Sequence, residues 1–586
     1  MGNVGVRQMA ESIHSFNVAA QLAEMARRMP DAAAVVLPAG KDRLGKRAYR
    51  THSFAELDGD SDGIARGLIR LGVTPGTRLA LMVQPGFDFI SLVFAAFKCG
   101  AVAILIDPGM GRRRVLRCLD EASPQGWIAI PIVQAVRRLF SKRYAASRFN
   151  VTVGPRRARA MGAVTLEQLR RENCADEDDA PRDATPTSSS PSPYAANLTA
   201  DDPAAIIFTT GSTGPPKGVL YRHGNFAHQV DAIRDRYGIE PGEIDVACFP
   251  LFALFNGAMG VTTVVPRMDF SRPARCDPRN IIHPINDLAA TQSFASPAVW
   301  HRVGRYCQRH GIQLPTLRRV LSAGAPVPAE VLERIKERIH PDGDVHTPYG
   351  ATEALPVATI AASEVLLETA AKTRQGAGVC VGRRFASVDW RVIPIIDGPI
   401  DSLDSLPEGP PAAEIGELIV RGPAMTREYY QRADANALGK VPDGDTVWHR
   451  MGDVGYLDGA SRFWFCGRLA HRVLTAEGPM YTIPTEAIFN GHADVYRSAL
   501  VGIGEPGGQT PVLIVEPERG RYPRGRAARR RLLDDLRHLA QSNERTRSIE
   551  HFLIHRSFPV DIRHNAKIFR ERLAVWAARR IPGRCL

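Results

Sequence analysis

The apolar run at residues 204–208 leads without a break into FTTGSTGPPKG, residues 208–218, and this junction constrains the fold more than any other stretch. It reads as a strand followed by a phosphate cradle. Gly211, Gly214 and Gly218 let the backbone N–H groups come close to an anion, the hydroxyls of Thr209, Thr210, Ser212 and Thr213 are donors, and Lys217 adds a fixed positive charge. That set fits the phosphates of a nucleotide. It is not a P-loop, because the spacing from Gly211 to Lys217 is wrong and Gly218 follows the lysine where the pattern needs Ser or Thr. A Gly/Ser-rich surface loop would account for the glycines and hydroxyls but not for a lysine fixed between Pro216 and Gly218.

With 586 residues, 44% hydrophobic and 23% charged, the chain is too long for one ordinary core, so at least two domains are expected. The best apolar stretch, residues 89–106, is interrupted by Lys98 and Gly100. It falls short of the roughly 20 residues a bilayer span needs and reads as a buried helix followed by a strand. No basic segment leads into an apolar one near the start, so a secretory leader is not expected. Nine cysteines without a CxxC pair fit a reducing cytoplasm better than a disulfide framework or a zinc cluster. A formal net charge of +13 predicts anionic partners: ATP, a carboxylate substrate, an acidic protein, or an anionic membrane surface touched peripherally. Nucleic acid is disfavoured. The arginines between 521 and 531 are followed at once by Asp534 and Asp535 with no aromatic platform between them, and a solvated helix face is the better reading.

Taken in order, residues 17–109 alternate helix-like and strand-like stretches, which predicts a parallel sheet flanked by helices. GKDRLGKR at 40–47 matches a Walker loop until Arg47 and reads as a basic turn. Residues 176–203 turn acidic, then Ser- and Pro-rich, with few large apolar groups, and are expected to form a loose connection. A helix capped by Asn225 is expected after the phosphate loop. Residues 319–322 read as a strand ending in AGAPVP, the kind of carboxyl strand end at which open α/β sheets hold ligands.

YGATE, residues 349–353, combines an aromatic face, a hydroxyl and a carboxylate. Tyr349 could stack on adenine, Thr352 donate to the α-phosphate and Glu353 hold a Mg²⁺; a helix N-terminus capped by Thr352 is the competing reading. Residues 456–468 look like hairpin strands turning at Asp458-Gly459. Just before them, Asp453 can accept both hydroxyls of a ribose, and Arg468 can donate to the same sugar or its phosphate, although a surface ion pair would be the favoured reading of Arg468 were the other motifs absent. Near the C-terminus Lys567 precedes a helix expected from about Ile568; a lysine near a helix start is unfavourable for the helix dipole and hints at an anionic ligand, with a solvated lysine the default reading of this stretch alone.

Together, the loop, YGATE, the Met451-Gly452-Asp453 and Cys466-Gly467-Arg468 triplets and the final lysine resemble, in order and spacing, the adenylate-forming superfamily over nearly the entire chain. The resemblance implies an α/β fold with a large N-terminal AMP-binding domain of layered β-sheets and helices, residues 1–468. A small α+β C-terminal domain, residues 469–586, would rotate about a hinge at Ala470. It assigns the phosphates to Lys217 and the hydroxyl-bearing loop around it, and adenine to Gly324, Ala325 and Tyr349. The α-phosphate falls to Thr352, Mg²⁺ to Glu353, ribose to Asp453 and Arg468, and the adenylation step to Lys567. Two positions depart from the CoA-using members: Gly478-Pro479-Met480 replaces a Gly followed by an aromatic or His, and Ala566-Lys567 replaces Gly-Lys. The segments VLYRHGNF, PLFALFNGAMG, YGATEALPV and PVDIRHNAKIFRERLAVWA look most like the β-lactone synthetases of bacterial long-chain olefin biosynthesis. That resemblance implies activation of a long-chain 2-alkyl-3-hydroxy acid by ATP and Mg²⁺, lactone closure without CoA, and assembly with other enzymes of the olefin pathway. A fatty acyl-CoA or acyl-AMP ligase is the alternative, and a non-catalytic nucleotide-binding module a third.

Overall fold

In the computed structural model the described residues are 16–154, 164–171, 194–195, 197–209, 214–249, 251–406, 414–560 and 568–581. They group into two units, one of residues up to 211 with 215–271 and 423–432, the other of 212–214, 272–422 and 433–586. Most of the loose connection expected at 176–203 lies outside the described residues.

The first unit contains β1 (Ala33–Lys41), β2 (Arg47–Ser53), α1 (Phe54–Arg70), β3 (Arg78–Met82), α2 (Phe87–Lys98), β4 (Val102–Leu105), β5 (Gly126–Ala129), β6 (Phe149–Thr152) and β7 (Val164–Thr165). It continues with β8 (Pro203–Thr209), β9 (Lys217–Arg222), α3 (His223–Tyr237), β10 (Ile244–Ala247), α4 (Phe252–Met259) and β11 (Thr262–Val264). One sheet has the order β7-β6-β5-β3-β4-β8-β9, parallel except for the β8–β9 hairpin. The alternation between 17 and 109 therefore yields a parallel sheet only in part, because β1 leaves it to pair with β11 in parallel and with β2 in an antiparallel hairpin. The basic turn at 42–46 closes that hairpin, Asp42 Oδ1 accepting from the N–H groups of Leu44 (2.8 Å) and Lys46 (2.9 Å).

Helix α2 is buried from Phe89 onwards, Lys98 included. Burying a Phe94 or Leu92 side chain is worth roughly 1.5–3 kcal/mol. The cost of burying the Lys98 ammonium is offset by Asp58 Oδ1 at 2.6 Å, the Asp58 carbonyl at 3.0 Å and the Asp62 carboxylate. The lysine that interrupts the apolar stretch is thus a neutralised part of the core. Helix α1 starts with a capping box in which Ser53 and Glu56 satisfy each other's N–H groups.

The second unit carries one sheet in the order β17-β18-β20-β21-β16-β15-β14-β13-β12, with β19 beside β20. These strands are β12 (Gln292–Ala295), β13 (Arg319–Ser322), β14 (Asp344–Ala351), β15 (Ala354–Ala361), β16 (Val379–Arg384), β17 (Asp389–Ile393), β18 (Gly416–Arg421), β19 (Lys440–Asp443), β20 (Thr446–Leu457) and β21 (Phe463–Arg468). β12, β13 and β14 run parallel and the rest antiparallel.

After Arg468 come a turn at Leu469–His471 and the hairpin β22 (Val473–Thr475) with β23 (Gly478–Met480). Next are α5 (Thr482–Asn490), β24 (Val495–Ile503), β25 (Thr510–Pro517), α6 (Gly525–Gln541), β26 (His551–Ile554) and α7 (Arg570–Ala578). Their apolar faces form two clusters, one around Phe489, Leu513 and Leu536, the other around Val501, Ile514 and Leu573. Gly467 has φ +134°, and a Cβ on it would lie 2.5 Å from Thr482 Oγ1 at the start of α5. Among the described residues no helix is long and apolar enough to cross a membrane. The seven described cysteines are free and buried.

Candidate active site

YGATE is the closed end of a β-hairpin. Tyr349 pairs with Ala358 and Ala351 with Ala354, which leaves Thr352 and Glu353 at the tip between β14 and β15. The helix N-terminus considered for Thr352 is thereby corrected: the alternating apolar residues after Glu353 pair back as a strand. A Cβ at Gly350 would sit 2.6 Å from the Ala354 carbonyl oxygen, so the turn closes only around glycine.

Asp453 and Arg468 stand opposite each other in the β20–β21 register, which is where the Asp458 turn puts them. The Arg468 Nη1 donates to Asp453 Oδ1 at 2.7 Å and to the Met451 carbonyl at 3.1 Å, and the Tyr349 hydroxyl donates to Asp453 Oδ2 at 2.5 Å. Asp453 is only 4% exposed, whereas the Arg468 side chain is 37% exposed. The Tyr349 ring lies 6.2 Å from that of Phe463 and 6.4 Å from that of Phe465. Burial, and then the Asp453 carboxylate, push the Tyr349 phenol well above its ordinary value, so it stays a neutral donor. The Asp453 carboxylate holds the Arg468 guanidinium above its usual value, and Glu353 at the hairpin tip adds to the pull. Each Asp453 oxygen thus has one donor and keeps one lone-pair direction, enough for a vicinal diol.

Strand β20 is anchored just before this triad. Arg450 and Glu417, 5% and 1% exposed, form a buried pair at 2.6 Å, and Arg450 also donates to the Ile396 carbonyl at 2.7 Å. Breaking one side of such a pair leaves an uncompensated buried charge, so it fixes the strand that carries Asp453. Gly324, with φ +97°, and Ala325 follow β13, the parallel neighbour of β14.

The phosphate loop joins two antiparallel strands of the first unit, with Thr209 at the end of β8 opposite Lys217 at the start of β9. A strand, not a helix, follows the loop; α3 begins only at His223. Asn225 is the third residue of α3, and its Oδ1 closes back on the Arg222 N–H at 2.8 Å. The Lys217 ammonium sits 4.8 Å from the Tyr429 ring centroid, which orients its charge. A Cβ at Gly218 would lie 2.9 Å from Ile206 Cγ2, and the Gly218 N–H donates to Glu121 Oε1 at 3.2 Å. Among the described residues, leaving aside its chain neighbours, no atom lies within 4 Å of a Cβ built on Gly214. Thr210, Gly211, Ser212, Thr213 and Lys567 lie outside the described residues. The sequence reading missed Tyr429, Glu121 and the Arg450–Glu417 pair. Only the paired tyrosines of REYYQR at 427–432 carry a visible signal, since a buried ion pair leaves no periodicity.

This architecture is that of the adenylate-forming enzymes. The structure of an o-succinylbenzoate coenzyme A synthetase from Bacillus subtilis, in complex with ATP and magnesium ion, matches with a TM-score of 0.68 at 18% identity, covering 94% of this chain and 98% of its own. Residues 22–430 match the AMP-binding enzyme family, and the chain belongs to it. It is 44% identical over 568 residues to the olefin beta-lactone synthetase of Xanthomonas campestris pv. campestris, covering 96% of this chain and 97% of the relative. It is 43% identical over 575 residues to the olefin beta-lactone synthetase of Stenotrophomonas maltophilia, covering 97% and 99%. The resemblance read from the motifs is borne out.

Proposed function

We propose that this chain is an ATP-dependent β-lactone synthetase acting on a long-chain 2-alkyl-3-hydroxy acid. The observation that carries the reading is the identity of 44% and 43% to two olefin β-lactone synthetases over almost the full length of all three chains. In the first step a carboxylate oxygen of the acid attacks the α-phosphorus of ATP and pyrophosphate leaves. In the second the 3-hydroxyl oxygen bonds to the acyl carbon, the bond to AMP breaks and the hydroxyl proton is lost. Effective molarities on the order of 10⁵ M for a well-held internal nucleophile outcompete water and offset ring strain.

The site residues take the following roles in this reading. Lys217, backed by Tyr429, and the loop hydroxyls hold the phosphates; Asp453, held by Tyr349 and Arg468, accepts the ribose hydroxyls; Gly324 and Ala325 flank the adenine with Tyr349. Thr352 donates to the α-phosphate and Lys567 bridges it to the substrate carboxylate. Among the described residues no three metal-ligating side chains converge. A single carboxylate, that of Glu353, suits Mg²⁺, which keeps water and nucleotide oxygens as most of its ligands. That ion would neutralise phosphate charge as pyrophosphate departs. Residues 469–586 would form the mobile small domain, supported by their own two apolar clusters and by the exposed Ala470 in the turn after Arg468. Other enzymes of the same pathway are proposed partners.

The test is product analysis by mass spectrometry, with ATP and Mg²⁺, with and without CoA. The expected products from a 2-alkyl-3-hydroxy acid are β-lactone, AMP and pyrophosphate without CoA, and the same acid lacking its hydroxyl stalls. Acyl-CoA formed from a plain fatty acid at the rate of AMP production would replace the lactone reading with the ligase.

A further inference from the structure

Apart from the residues assigned to ATP, a cavity of about 340 Å³ is bounded by α6, β26 and α7. Its eight lining residues include Arg529, Arg556 and Arg580, with Tyr522, Leu553 and Trp576, and no carboxylate. One wall is built from mutual contacts: the Arg580 guanidinium stacks 4.1 Å from the Trp576 ring centroid and donates to the Trp576 carbonyl at 2.9 Å, while His555 meets the same ring edge-on at 4.6 Å.

The arginines in and around this cavity are only partly neutralised. Arg530 and Arg537 share the Asp534 carboxylate, at 3.7 and 2.7 Å. Among the described residues, neither Arg529 nor Arg556 has a carboxylate at ion-pair distance. Glu516, whose charge reaches His555, is already committed to Arg497 Nε at 2.7 Å and the Phe558 N–H at 2.8 Å. Three guanidinium groups around one concavity repel each other unless an anion joins them, and their planar forks match phosphate oxygens in pairs. Trp576, Leu553 and the 40% exposed Tyr522 supply an apolar shoulder beside that charge.

We infer that this cavity binds a phosphate ester, the guanidinium groups of Arg529, Arg556 and Arg580 taking the phosphate and Trp576 with Leu553 taking the group esterified to it. The ester is the headgroup of an anionic lipid or a small soluble phosphate ester, and the inference does not depend on the reaction proposed above.

The full chain is titrated by tryptophan fluorescence with glycerol 3-phosphate, and by co-sedimentation with phosphatidylcholine vesicles with and without phosphatidylglycerol. Saturable binding is expected in one arm, weakened about tenfold or more in Arg529→Gln/Arg556→Gln, on the scale of a lost charge-assisted contact. Arg526→Gln/Arg530→Gln, which removes the same total charge but takes both from α6 outside the cavity lining, should leave binding within about twofold. Binding confined to phosphatidylglycerol vesicles assigns a lipid headgroup, and binding confined to glycerol 3-phosphate assigns a soluble ester. Absence of saturable binding in both arms, or equal weakening in both double variants, overturns the inference. Wild-type pyrophosphate release reports intact folding; if Arg529→Gln/Arg556→Gln loses it, Arg529→Gln alone, on the exposed face of α6, repeats the comparison.

Discussion

Tyr349→Phe isolates what the hydroxyl of this tyrosine does, because the ring and its packing against Phe463 and Phe465 remain. The substitution removes a 2.5 Å donor from Asp453, a carboxylate that is 4% exposed and keeps only Arg468 on its other oxygen. Leaving a buried acceptor unsatisfied costs about 1–3 kcal/mol. The lower half of that range applies, because Arg468 is partly solvated and can shift to share the freed oxygen. Since about 1.4 kcal/mol is a factor of ten, the KM for ATP should rise roughly tenfold while kcat changes little. The assay is initial-rate pyrophosphate release over a range of ATP concentrations, repeated in an Asp453→Asn background, where the effect of Tyr349→Phe should shrink. An unchanged KM would show that the ring alone matters and that the bond to Asp453 positions nothing. Because burial and Asp453 hold the phenol well above its usual value near 10, the wild-type KM should show no inflection from Tyr349 between about pH 7 and 10.

Glu353→Gln keeps shape but removes charge, so pyrophosphate release should fall steeply and recover in part as Mg²⁺ is raised; an unaltered Mg²⁺ dependence would remove Glu353 from that role. Lys567→Ala should lower pyrophosphate release by about 100-fold or more, and near-normal release would make Lys567 a solvated surface residue. His223 is fully buried, and burial pushes its imidazole down to about 4 against the opposing pull of Asp202. The unfolded chain takes up this proton near pH 6.5 and the folded one only near 4, so stability falls as pH drops through that window, by up to roughly 3 kcal/mol. Urea midpoints at pH 7 and 4.5 should therefore converge in His223→Gln, and an equal loss in wild type and variant would refute the assignment.

The candidate site was legible where chemistry and turn signals coincide. Asp458-Gly459 announced the β20–β21 hairpin, and that hairpin alone puts Asp453 opposite Arg468. The buried helix and strand at 89–106 were legible from apolar content, but not the reason Lys98 is tolerated there, because Asp58 and Asp62 lie far from it in sequence. The helix expected around Asn225 is present at His223–Tyr237, but the strand between it and the phosphate loop was not legible: KGVLYR is short and mixed, and only pairing with β8 makes it a strand. Thr352 was ambiguous for a similar reason, since a hydroxyl beside a carboxylate suits a helix start and a hairpin tip alike until the partner strand is known.

Gly467 gives the junction after Arg468 an unusual mechanical property. The Thr482 hydroxyl occupies the volume where any other residue would place its first side-chain carbon. A single methyl group there acts as a wedge, driving the start of α5 away from the strand that ends in Arg468 without altering any residue assigned to ATP. If residues 469–586 swivel as proposed above, Gly467→Ala would therefore weight that equilibrium towards arrangements in which Thr482 has already withdrawn. One reaction step could then be slowed and the other spared, by geometry at the pivot alone.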